Sequence, residues 1–185
     1  MKHTIASLLF IVIFSSCSKQ TSLQKEFICE TQSFTNTETV NDFKNKFSVT
    51  IPKHWKTQLY FDNLQSQIFT ADTTKNFTST YQINFEYNSG DLKVNEEFKT
   101  KIITDLKTNN LQLLKSKQDN FKEKPSFWTV SKGKKSNYDF YYFEMFVKSS
   151  KINYIKVTSE IYGNKNIDER FCESIAIIEQ MELLE

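Results

Sequence analysis

Beyond residue 17, the 185-residue chain holds one histidine, His54, and two cysteines, Cys29 and Cys172. That shortage limits the chemistry available. A lone imidazole cannot build a histidine-based metal site, and no His-x-x-x-His spacing or aspartate cluster supplies the missing ligands. A Ser or Cys nucleophile would depend on the same His54, without a glycine-flanked nucleophile elbow. The expectation is a protein that is not an enzyme and carries no metal and no cofactor. The cysteine pair leaves two readings open, one disulfide or two separate buried thiols acting as small apolar residues. Trp55 and Trp128 could serve as stacking platforms on a binding surface, although tryptophans at strand edges more often anchor a core. Lys132, Lys134 and Lys135 surround Gly133 as a basic hairpin tip, suited to an acidic lipid or acidic partner, or simply to a solvated turn.

The N-terminus reads as an export signal. Lys2 and His3 precede the apolar run from Ile5 to Phe14, and the small residues Ser15 and Ser16 lead to Cys17; this is the charge, apolar core and cleavage-site order of a secretory signal. The run is too short to span a bilayer. Phe14-Ser15-Ser16-Cys17 resembles the lipobox of bacterial lipoproteins, with Phe14 where leucine is usual. The resemblance implies a signal peptide over 1–16, and a Cys17 that is lipidated (palmitate among its acyl chains) and becomes the first mature residue. Two or more acyl chains would anchor stably. Ser18 is not the Asp of the enterobacterial inner-membrane retention pattern, so the resemblance implies the periplasmic face of the outer membrane. In an oxidising compartment, Cys29 and Cys172 form an even pair suited to a disulfide. Asp72-Thr73-Thr74 looks like the O-glycosylation acceptor of some gliding-type bacteria.

The composition is 15% aromatic and 25% charged with a formal net charge of +2. It suits one packed domain and gives no electrostatic footprint for nucleic acid. Residues 17–42 read as a lipidated cysteine and polar tether, part of a polar stretch from Ser18 to about Lys46 that becomes ordered toward its end. Residues 43–185 read as the domain. Phe47 to Ile51 alternates as a first strand ended by Pro52. Strands are expected near Gln65 to Ala71 and Thr80 to Tyr87, the latter with Tyr81, Ile83, Phe85 and Tyr87 on one face and Gln82, Asn84 and Glu86 on the other. Phe98, Ile102, Ile103 and Leu106 recur at helical spacing behind Glu96 and Glu97. Four more runs read as an antiparallel meander: Leu111 to Phe121, Ser126 to Ser131, Tyr138 to Val147 and Lys151 to Tyr162, with Pro125, Gly133 and a Ser-Ser-Lys turn as separators. Tyr138 to Val147 is apolar on both faces and is expected to be central and covered on both sides. A second helix is expected from Ile167 to Gln180.

The fold class expected is α+β, an antiparallel sheet of about six strands flanked by helices. The element order and the segment Phe47-Ser48-Val49-Thr50-Ile51-Pro52-Lys53-His54-Trp55 resemble the PsbP-like family over about residues 43 to 183. That family includes an extrinsic subunit of the photosynthetic oxygen-evolving complex and shares its α/β/α sandwich with a nuclear-import factor that binds the GTPase Ran. The resemblance implies a scaffold or binding protein rather than a reaction. The function expected is a membrane-anchored envelope lipoprotein that binds or helps assemble an envelope protein complex, with an unidentified envelope protein as partner. The alternative is a lipoprotein that binds a small ligand, a glycan or lipid, in an aromatic-lined cavity between helix and sheet.

Overall fold

The computed structural model describes residues 20–184, so the expected signal peptide and Cys17 lie outside the described residues. Alternating burial builds the main sheet. In β5 (Tyr81–Ser89) the side chains of Tyr81, Ile83, Phe85 and Tyr87 are buried, while the intervening residues are only partly covered, as a period of two requires. Antiparallel pairing joins it to β4 (Gln65–Ala71), which pairs with the edge strand β3 (Lys56–Phe61). On its other side lie β9 (Asn153–Tyr162), β8 (Tyr138–Lys148), β7 (Lys124–Lys135) and β6 (Gln112–Phe121), giving the order β3-β4-β5-β9-β8-β7-β6.

A second sheet of three strands covers part of one face. Here β2 (Phe47–Pro52) sits between β1 (Thr37–Asn41) and β10 (Met181–Leu183), paired antiparallel to both. Phe47, Val49 and Ile51 of β2 are fully buried. They join Phe171, Ile175 and Ile178 of α3 (Ile167–Ile178) and the inner residues Phe85, Phe143, Met145 and Val157 in one core. The opposite face carries α2 (Glu96–Thr108). Asn95 caps it by accepting from the Phe98 amide, and Glu96 and Glu97 occupy its first turn, where the dipole favours acids. The architecture is α+β, helix on sheet on helix.

The main sheet therefore has seven strands rather than about six. The extra strand, β3, is an exposed edge in which polar Lys56-Thr57-Gln58 is followed by apolar Leu59-Tyr60-Phe61, with no alternation to read. Residues 20–46 are also more structured than their spacer-like composition suggests. The short helix α1 (Ser22–Glu26) opens with a capping box between Thr21 and Gln24 and buries Leu23, and β1 pairs along all of its five residues with β2. Cys29 and Cys172 are joined as a disulfide, with Cα atoms 5.3 Å apart and a sequence separation of 143, tying the segment after α1 to α3. Phe27 lies against Trp128 and Phe171, with ring centroids 5.0 and 4.7 Å away.

Of the three expected separators, the Ser149-Ser150-Lys151 turn parts β8 from β9, while the other two break no strand. Pro125 and Gly133 both lie within β7. The turn to β8 is made instead by Ser136 and Asn137, both with positive φ, the backbone of a two-residue hairpin. Gly133 serves a close approach: a Cβ there would stand 2.9 Å from the Asn110 carbonyl oxygen and 2.8 Å from Leu111 Cδ2.

Candidate recognition cleft

The outer face of β5, β9 and β8 is where charge collects. Register aligns Glu86 with Lys156 and Phe146, Asn84 with Thr158 and Glu144, and Gln82 with Glu160 and Tyr142. The helix α2 covers only one flank of this face. Its Ile102, together with Leu92, packs over Phe127 and Phe146, with Phe98 standing edge-on to Phe146 at 5.1 Å; Leu106 is buried one turn further on. The uncovered remainder is a cleft of about 990 Å³, walled by α2, the segment after β5 and the β7–β8 hairpin.

Its floor is a charged network held partly out of water. The Lys156 ammonium lies 2.9 Å from the Glu144 carboxylate. Burial pulls the lysine down, but the charge and hydrogen bond of Glu144, with help from Glu86, hold it above its ordinary value. Glu86 is shifted the other way: burial raises its carboxyl above the usual range despite Lys156 nearby, because removing water penalises the charged form. Asn84 Nδ2 donates to Glu86 Oε1 at 2.6 Å, while Asn84 Oδ1 is buried without a partner. The Tyr142 hydroxyl donates to Glu144 at 3.3 Å, and burial together with that carboxylate pushes its ionisation far up.

A second cluster lies beside the first. Lys135 pairs with Glu160 at 3.0 Å, and Tyr162 donates to the same carboxylate at 2.6 Å. The Lys135 ammonium also stands over the Phe140 and Tyr162 rings, 5.0 and 5.6 Å from their centroids. Forked acceptors, two ammonium groups and aromatic walls suit recognition of a polar group by several simultaneous hydrogen bonds.

The residues singled out from sequence are scattered relative to this cleft. Trp55 and Trp128 do not form a binding surface. Trp128 is fully buried and Trp55 nearly so, edge-on to Tyr81 at 5.2 Å; both complete the core. Of the three hairpin lysines, Lys134 and Lys135 line the cleft and Lys132 does not. His54 sits apart from the cleft, 3.8 Å from Asp72. Among the described residues no group of His, Cys, Asp and Glu is placed to hold a metal. Asp72, Thr73 and Thr74 form a turn in which the Asp72 carboxylate accepts from the Thr74 amide and hydroxyl at 3.0 and 2.6 Å. Sequence reasoning passed over Glu86, Glu144, Lys156 and Glu160. The available signal was Glu144, an acid set within the apolar run from Phe140 to Val147.

These layers and this topology are the PsbP-like fold. Solved structures that share it include cyanobacterial PsbP from Synechocystis sp. PCC 6803, at 6% identity over 84% of this chain and 96% of that one, with a TM-score of 0.53. The Saccharomyces cerevisiae Ran-binding protein Mog1p matches at 6% identity over 81% and 96%, also with a TM-score of 0.53. A Bacteroides thetaiotaomicron VPI-5482 protein matches at 9% identity over 81% of this chain and 49% of that one, with a TM-score of 0.51, so this chain spans about half of its length. At such identities the likeness is one of fold alone. No protein-family model and no curated protein sequence matches the chain.

Proposed function

We propose that this protein is a non-catalytic cell-envelope lipoprotein, anchored through Cys17 to the outer membrane on its periplasmic side, that binds or helps assemble an envelope protein complex through the cleft beside α2. The observation that carries the reading is the floor of that cleft. Lys156, Glu144 and Glu86 are charged side chains held partly from water in a concave site, an arrangement that costs stability unless a function retains it. A protruding polar segment of a partner fits a site of this kind. The anchor is supported by the sequence from Lys2 to Cys17, and no helix among the described residues is long and apolar enough to cross a membrane.

The test is site-specific photo-crosslinking in intact cells. A crosslinker at Lys101, which lines the cleft, traps a stoichiometric envelope protein, whereas one at Leu114, exposed on β6 outside it, does not. Repeated recovery of no partner from Lys101 overturns the binding role. Cys17→Ala abolishes palmitate labelling; label that persists refutes the anchor. A second reading, a small glycan or lipid ligand, is favoured by the cleft volume, which lies at the upper end of small-molecule sites. Native mass spectrometry of protein from its own host separates the two, because a co-purifying small mass supports the ligand and a bare protein counts against it.

A further inference from the structure

One end of the sandwich gathers several exposed apolar side chains. The register of the main sheet brings the turns after β3, β6 and β8 to the same end, since Phe61 pairs with Ser66, Phe121 with Lys124 and Lys148 with Tyr154. The β1–β2 turn joins them there: Lys44 Nζ donates to the Asn63 carbonyl at 3.1 Å, and the Phe43 and Phe61 rings are 4.7 Å apart. At this end Phe43, Phe61, Leu64 and Ile152 are exposed by 54, 55, 69 and 68%. At the opposite end the exposed aromatics Phe77 and Tyr138 reach only 42 and 43%, standing edge-on to each other.

The described chain also begins at this end. Thr21 bonds Glu179 and Ser22 bonds Asp119, two residues before the close of β6 at Phe121. Thr21 lies four positions after Cys17, a span of at most about 14 Å when fully extended. A lipid on Cys17 thus keeps the bilayer within reach of these turns. Their chemistry suits that neighbour. The apolar side chains protrude from three turns, Phe43 against Phe61 across two of them, and the turns at this end carry Lys44, Lys46, Lys122, Lys124 and Lys151 against the acids Asp62 and Glu123, with Lys122 paired to Glu182. An interfacial surface has this form, with apolar groups entering the acyl boundary and ammonium groups meeting phosphate.

We propose that this end of the sandwich seats on the bilayer that holds the Cys17 anchor, with Phe43, Phe61, Leu64 and Ile152 inserted at the interface and the β7–β8 hairpin directed away from the membrane. The inference rests on the lipid-anchor reading. It makes the domain a fixed post rather than a tethered float, so that the cleft meets its partner at a set height and angle.

The test uses the processed lipoprotein in vesicles of phosphatidylethanolamine and phosphatidylglycerol with brominated acyl chains. A reporter Leu64→Trp is quenched about twofold or more relative to unbrominated lipid, while Tyr138→Trp at the opposite end is not. Changing Phe61 and Ile152 to Ser in the Leu64→Trp background removes most of that quenching. Equal quenching of the two reporters, or none at Leu64→Trp in protein that still floats with the vesicles, overturns the docking and leaves the anchor standing. Protein that fails to float overturns the anchor and the docking with it. Protection of Leu64 in cells without quenching in pure lipid means that a protein covers this end, which also overturns the proposal.

Discussion

Replacing both Cys29 and Cys172 with alanine opens a loop of 143 residues. In the chain-entropy model, a closure of that length restricts the unfolded state by about 5 kcal/mol at room temperature. Denatured-state compactness reduces the figure, so about 3–5 kcal/mol is expected from the double variant. That is a large share of the stability of an ordinary domain, roughly 5–15 kcal/mol. The loss has a local part as well. The disulfide is what fixes the chain beyond α1 to the last helix, and Phe27 depends on that path to reach Trp128 and Phe171. Urea unfolding followed by circular dichroism, wild type against Cys29→Ala/Cys172→Ala, reads the difference. With m near 2–3 kcal/mol/M, the midpoint falls by roughly 1–2 M. Proteolysis of the native double variant then cuts within 20–36 before the rest. A loss under about 1 kcal/mol refutes the reasoning, as does alkylation of both thiols in freshly isolated wild type.

Two further outcomes follow from buried polar groups outside the cleft. The Arg170 guanidinium donates to the carbonyl oxygens of Thr80, Tyr162 and Lys165 at 2.9, 2.8 and 2.6 Å, so Arg170→Met strands three acceptors and costs about 3–4 kcal/mol in thermal unfolding; a melting temperature close to wild type contradicts this. Burial pushes the Glu179 carboxyl up to about 7, so the folded state holds a proton that the unfolded chain releases at its ordinary carboxylate value. Stability is then complete below pH 4 and declines as pH rises through 7, by about 2 kcal/mol once solvent screening is allowed for. Glu179→Gln removes that decline, and an unchanged slope between pH 5 and 8 in the variant would count against it.

The sequence by itself determined the elements whose faces differ. Tyr81, Ile83, Phe85 and Tyr87 alternate with polar neighbours, and Phe98, Ile102 and Leu106 recur at helical spacing; each pattern is a local consequence of burying one side of an element. The strand from Tyr138 was legible as central because both of its faces are apolar, and the segment through Pro52 and Trp55 pointed to the fold.

Only the tertiary structure decided the rest. The strands β1, β3 and β10 are short, polar or peripheral, and form because a neighbour offers backbone partners, which composition does not encode. The turn at Ser136 and Asn137 escaped notice because neither residue is glycine. The cleft was hidden for a stronger reason. Glu86, Glu144 and Lys156 lie far apart in sequence, and only the register β5-β9-β8 brings them to one face. Whether such a face is solvent or site depends on how far α2 covers it, and α2 buries only Ile102 and Leu106. A helix with so narrow an apolar stripe can shield one flank of a seven-stranded sheet and no more, and the charged remainder is the cleft.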